Sequence, residues 1–144
     1  MTKTQIFELI TNNPAFCLAT IDGDKPKVRG MLIYRADENG IIFHSGANKD
    51  LYKQVLANPN AELCFNEFAT GTQVRVSGKL EIIDDSALKD EIGNHPSREF
   101  LQPWKNSVSL DEFYKGLVVF NLKGGTAVVW TFETNFAPKV EIQL

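Results

Sequence analysis

Apolar residues recur at helical spacing near the start of the chain, Ile6, Phe7, Leu9 and Ile10, behind a Thr2…Gln5 pair with the form of a capping box. A short helix is predicted there, ended near Asn13-Pro14. From Ala15 the period changes. AFCLATI, PKVRGMLIYR and GIIFHS are β-rich runs, separated by Asp22-Gly23-Asp24 and by Asp37-Glu38-Asn39-Gly40, and they predict three antiparallel strands in a meander. KDLYKQVLAN then sets Leu51, Tyr52, Val55 and Leu56 on one helical face before Asn58-Pro59 stops it. AELCFNE returns to strand. In QVRVSGKLEII, Val74, Val76, Leu80 and Ile82 alternate with Gln73, Arg75, Ser77 and Lys79, which predicts the longest strand.

Residues 84–115 read as helical and irregular, punctuated by Asp84, Ser86, Pro96 and Pro103. LVVFNL and TAVVWTF, joined by Lys123-Gly124-Gly125, predict a last hairpin that is apolar on both faces. Such strands need two covers, the core on one side and something else, such as a second subunit, on the other. The inventory is mainly β: a six- or seven-stranded antiparallel barrel with small helices closing its ends. No repeat or linker divides residues 1–144, so one domain is expected.

Composition narrows the partners. Hydrophobic residues make up 43% and charged residues 23% of the chain, the balance of a globular protein. A formal charge of −3 with no Lys/Arg-rich stripe argues against nucleic acid. No run reaches the ~20 apolar residues of a membrane span, and the N-terminus has no signal-peptide core, so a cytoplasmic address without membrane contact is expected. Cys17 and Cys64 lie in apolar strand-like segments without CxxC spacing, and buried structural thiols are the expectation. No general acid–base pair, nucleophile triad or metal cluster is visible.

The candidate chemistry starts at Arg29, a guanidinium inside an oily strand with no acid near it at strand spacing. A buried charge costs several kcal/mol without a partner. Gly30 beside it weakens the strand and marks close approach of a backbone or ligand. The next strand ends in His44-Ser45 and runs through Gly46-Ala47-Asn48-Lys49 into a helix for which Asn48 is a natural N-cap. Helix starts offer unpaired N–H groups and partial positive charge, and Lys49 placed there opposes the macrodipole unless an anion is present. Arg29 and Lys49 converging on one point would form a phosphate site. On spacing alone, the alternative stays open that both reach solvent and pair with Asp50 or Glu62.

The order RGMLI, FHS, NKDLYKQVLANPNAELCF and QVRVSG resembles the pyridoxamine 5′-phosphate oxidase-like flavoproteins of the split-barrel fold, over roughly residues 5–133. The resemblance implies a homodimer with FMN in clefts between the subunits. Carried over, Arg29 and Lys49 would grip the FMN phosphate with help from Ser45 and Asn48. The backbone of Gly30, Met31 and Leu32 would line the flavin, while Gln73 would reach it from the second subunit and Trp130 would pack near it. Residues 84–115 would cap the ring side.

Two departures qualify the resemblance. Tyr34 stands where the vitamin B6 oxidases carry a lysine for substrate phosphate, and TFETNFAPKVEIQL lacks their Arg-x-His stretch after the tryptophan. The chain is therefore not expected to be a true pyridoxamine phosphate oxidase. His44 replaces a more usual aromatic; it either tunes the flavin or merely closes the barrel. His95 is expected in a surface loop. The implied function is an FMN-dependent oxidoreductase passing electrons from a nicotinamide cofactor, NAD(P)H, or a redox partner to a small acceptor, like the branches resembling nitroimidazole reductases and general stress proteins. The alternative is a non-enzymatic carrier or sensor of flavin, deazaflavin or haem in the same cleft.

Overall fold

The structure, a computed structural model, describes residues 1–144. Helix α1 (Lys3–Asn12) opens on the capping box, Thr2 and Gln5 each bonding the other's backbone, and buries Ile6, Leu9 and Ile10. Strands β1 (Ala15–Asp22), β2 (Lys25–Asp37) and β3 (Gly40–Gly46) form the expected meander. The β1–β2 turn is a two-residue loop with Gly23 at φ +63°, a conformation that glycine adopts without a Cβ clash.

Helix α2 (Asp50–Ala57) leads to β4 (Asn60–Glu67) and the long β5 (Thr72–Ile83). Four short helical segments follow: α3 (Ser86–Asn94), a 3₁₀ turn (Pro96–Leu101), α4 (Gln102–Ser107) and α5 (Leu110–Gly116). Strands β6 (Leu117–Leu122), β7 (Thr126–Trp130) and β8 (Glu141–Gln143) complete the chain. No helix is long and apolar enough to cross a membrane.

Six antiparallel strands close the barrel in the order β1-β2-β3-β6-β5-β4, with β7 and β8 added beside β5. The barrel is split because two long strands change partners. Residues 25–32 of β2 pair with β1, and after an irregularity between Ile33 and Arg35 the rest pairs with β3. In β5, residues 72–79 hold β4 on one edge; the other edge takes β7 along 73–77 and β6 along 80–83.

The predicted hairpin of β6 and β7 is therefore not formed. The two strands run in the same direction, end to end along one edge of β5. Their link spans three residues where β5 spans two, so Lys123-Gly124-Gly125 is a bulge with Gly124 at φ +67°. β8, a strand the sequence pattern does not predict, pairs its three residues with β7.

The barrel interior holds Phe16, Phe43, Phe65 and Phe120, with ring centroids 5.0–5.4 Å apart in successive contacts. A second apolar cluster lies outside it. Ile92, Leu101 and Phe113 from the helical segment pack on Ile42, Leu117 and Val119. All six residues of β6 are buried. The second cover expected for that strand thus comes from the chain's own helices, in place of a second subunit, one candidate for it. Two further expectations are corrected. On α2 the buried residues are Leu51, Gln54 and Val55, while Leu56 is exposed. Cys17 is exposed and Cys64 half-buried, facing each other across β1 and β4 on the outside of the barrel, because alternation spends the inward positions on Phe16, Leu18, Leu63 and Phe65.

Candidate functional site

Two adjoining cavities lie along β2. The larger, about 1060 Å³, runs between β2, the end of β3, the start of α2 and the helical segment; the smaller, about 570 Å³, continues past Leu32, Cys17, Cys64 and Phe68. Gly30, Met31, His44 and Phe100 line both. A Cβ on Gly30 would meet nothing within 4 Å, so the bare backbone there forms the wall of open space.

Arg29 stands opposite Leu18 on the inward side of β2, at the barrel end that α2 covers. Its Nη1 donates to Thr20 Oγ1 at 2.7 Å and to the Leu18 carbonyl at 3.3 Å, and Nη2 donates to Gln54 Oε1 at 2.6 Å. Thr20 in turn donates to Gln54 Oε1 at 2.7 Å. Every acceptor is neutral. Glu62, a candidate partner in the open alternative, pairs with Arg75 at 3.7 Å, and no carboxylate lies within ion-pairing distance of Arg29 or Lys49. Burial pushes the guanidinium below its usual value, yet an arginine remains charged at any physiological pH. The fork is therefore oriented but not neutralised. Nε and one Nη2 hydrogen are left without a protein acceptor.

The start of α2 completes this corner. Lys49, and not Asn48, occupies the N-cap, in extended conformation and without a side-chain cap bond. Asn48 folds back so that its Oδ1 fills the space a Cβ on Gly46 would need. The amides of Asp50 and Leu51 make no hydrogen bond within the protein, and neither do the side chains of Ser45, Asn48 and Lys49. All five residues line the larger cavity. Charged and neutral donors with vacant valences thus gather at one end, beside Arg29. The lining also carries the carboxylates of Asp22, Asp50 and Glu112.

At the other end the wall is aromatic and apolar. Met31, Leu101, Trp104 and Leu117 line the larger cavity, and Phe100 projects half-exposed between the two. Buried Arg98 organises this region. Its Nε donates to His44 Nε2 at 2.8 Å and its Nη2 to the Ile33 carbonyl, while its guanidinium lies 5.4 Å from the Tyr34 ring and 5.7 Å from Phe100. Burial, and secondarily the Arg98 charge, pushes His44 down to about 4. Tyr34 points into the helical layer and donates to Glu91 at 2.6 Å; burial and then Glu91 push it up to about 12.

Of the sequence candidates, Arg29, Gly30, Met31, His44, Ser45, Asn48 and Lys49 line the larger cavity and Leu32 the smaller. Gln73 and Trp130 line neither. They face each other across β5 and β7; Gln73 Nε2 donates to Asn66 and Trp130 Nε1 to Asn135. Sequence reasoning missed Thr20, Gln54, Arg98, Phe100 and Trp104. Gln54 carried a signal, since it falls at i+3 from Leu51 and next to Val55, a polar residue at a core position of a helix. Arg98 carried none.

Fold and site together define a small split-barrel protein with a cation-rich corner at one end of a cleft and an apolar, aromatic wall at the other. The sequence model of the pyridoxamine 5′-phosphate oxidase family matches residues 2–112, and the chain belongs to that family. A pyridoxine/pyridoxamine 5′-phosphate oxidase of Rhizobium meliloti (strain 1021) is 31% identical over 100 residues, covering 68% of this chain and 48% of that protein. The chain spans about half the length of the curated relatives it matches. The fold is shared with a NimC/NimA family protein from Clostridium acetobutylicum, at TM-score 0.73 and 22% identity over 98% of this chain and 92% of that one. It is shared also with a pyridoxamine 5′-phosphate oxidase-related, FMN binding protein from Nostoc punctiforme PCC 73102, at TM-score 0.68 and 15% identity over 99% and 95%.

Proposed function

We propose that the chain is an FMN-binding flavoprotein that works as a homodimer and passes electrons from NAD(P)H or a redox partner to a small acceptor. The observation that carries the reading is the charge state of the corner: Arg29 is fixed by Thr20 and Gln54, both neutral, and so keeps its full charge for an outside anion. Lys49 and the free amides of Asp50 and Leu51 point to the same ligand chemistry, a phosphate dianion. The cavity is large enough for a nucleotide-sized molecule, and the apolar wall suits a flat ring. The FMN binding described for the Nostoc protein of the same fold agrees.

Bound FMN would supply the redox chemistry itself, its ring taking up and giving up electron pairs. The chain's own residues bind and orient. Arg29, Lys49, Ser45 and Asn48 hold the phosphate end, and Met31, Leu32 and Phe100 exclude water from the ring end. Trp104, from the segment expected to cap the ring, belongs to the same wall. Tyr34, turned away to Glu91, offers nothing to a second phosphate, which supports the reading that vitamin B6 phosphates are not the substrate.

The dimer rests on two features. Gln73 and Trp130 contribute nothing to the cleft within one chain, and the smaller cavity opens beside exposed Leu32 and Phe68. A carrier or sensor role is the second reading, favoured by the neutral state of His44, which withholds proton transfer from the ring end near neutral pH. Haem is disfavoured in either case, because the Nε2 lone pair of His44 is already committed to Arg98. The absorption spectrum of the purified protein tests the flavin reading: bands that bleach on reduction are expected. A colourless protein that takes up no added FMN would overturn it.

A further inference from the structure

His44 is held in one protonation state by hydrogen-bond logic alone. A guanidinium has donors and no acceptor, so the 2.8 Å bond from Arg98 Nε requires a bare lone pair on His44 Nε2. The neutral ring then carries its proton on Nδ1. Protonating Nε2 would break that bond and set two cations in contact. Arg98 cannot easily retreat, because it is 4% exposed and also donates to the Ile33 carbonyl and to Ser97. Nδ1 has no protein partner, and the sole sealed, unpaired side-chain atom in the structure is Asn121 Oδ1, so solvent reaches Nδ1. His44 lines both cavities and stacks on Phe100 at 6.2 Å and 25°.

We propose that Arg98 is a positioning residue that locks His44 as an Nδ1–H donor aimed into the cleft, so that this position selects ligands presenting an acceptor, a carbonyl oxygen or an unprotonated ring nitrogen, to it. The proposal deepens the flavin reading and rests on it for the identity of the ligand, since a flavin ring offers both kinds of acceptor. Among the charged groups around the lock, Arg98 of the 3₁₀ turn alone bonds to the ring; Asp22 of β1, Lys27 and Arg29 of β2, Lys49 and Asp50 at the start of α2 and Glu112 of α5 share the larger cavity, and β6 places Val119 opposite. No carboxylate bonds to His44, so nothing stabilises an imidazolium there.

Histidine ¹⁵N NMR on the ligand-free protein, with His95→Gln to assign the two rings, reads the state directly. The expected result is a protonated Nδ1 and a bare Nε2 on His44, unchanged from pH 5.5 to 8.5. A proton on Nε2, or a titration inside that range, overturns the lock. In Arg98→Met the titration of the ring should move up toward its ordinary ~6.5 without reaching it, because burial still holds it down; should that variant fail to fold, the unmodified protein still decides. Added FMN should then shift the Hδ1 resonance, and His44→Phe should weaken FMN binding by about three- to tenfold. FMN that binds without moving Hδ1 overturns the donor role while leaving the flavin reading intact. FMN that does not bind overturns the flavin reading, and the ligand-free spectrum still decides the lock.

Discussion

Replacing Gln54 by glutamate changes one atom's identity at the point where the cationic corner is held open. The new carboxylate would take the place of Oε1, 2.6 Å from Arg29 Nη2 and 2.7 Å from Thr20, and convert a neutral brace into an ion pair. A phosphate on the far side of the guanidinium would then stand about 6 Å from a like charge, a repulsion of roughly 3 kcal/mol per unit of phosphate charge at an effective dielectric of about 20. Screening in a buffer of about 0.1 M salt leaves a net loss of about 2–3 kcal/mol, or about 30- to 150-fold in the FMN dissociation constant. Stability should hardly change, because the nearly buried carboxylate gains Arg29 as it loses water. Gln54→Met removes the acceptor without adding charge and should cost about 1 kcal/mol, about fivefold. Flavin fluorescence quenching gives the three affinities, and urea melts give the stabilities. A glutamate variant that binds FMN as well as the methionine variant would refute the claim that Arg29 is kept unpaired for an anion.

The depressed His44 predicts a pH-dependent stability: the group is neutral when folded down to about 4 and takes its proton near ~6.5 when unfolded, so acid favours the unfolded chain. Between pH 7 and 4 its contribution should fall by about 3 kcal/mol, and His44→Gln should flatten that part of the urea-derived profile; an unaltered slope would contradict the buried neutral ring. Phe113→Ala should destabilise by about 3–5 kcal/mol, since the ring is fully buried between the helices and β6 and lies 5.0 Å from Trp104; a loss under about 1 kcal/mol would mean the helical layer is not a second core. Cys17 should react faster than Cys64 with a thiol reagent at pH 8 in the flavin-free protein, because Cys17 is the more exposed and because burial and the facing Cys17 push the Cys64 thiol up. Equal rates would contradict that difference.

Much of the barrel was legible because strand alternation and helix caps are local signals. Thr2 with Gln5, Gly23 in its turn, and the inward Val74, Val76 and Leu80 all stand where period and propensity put them. The reading failed where the decisive partner is distant. Lys123-Gly124-Gly125 has the chemistry of a hairpin turn, yet β5 offers one continuous edge and the glycines make a bulge along it. The apolar outer face of β6 pointed correctly to a cover, but the cover came from Ile92, Leu101 and Phe113, in the stretch with the weakest periodicity. The cationic corner was visible because Arg29 breaks an apolar run. Its neutral braces were not, since Thr20 in a strand and Gln54 in a helix look ordinary until the fold brings them within 2.7 Å.

The central claim, that Arg29 and Lys49 are held free to grip a phosphate, is tested most directly by comparing FMN with riboflavin, which differ in that group alone. Two charge-assisted contacts imply that FMN binds at least about a hundredfold tighter, and that Arg29→Ala narrows the gap by weakening FMN and sparing riboflavin. Equal affinities for the two, unchanged by that substitution, would contradict the account.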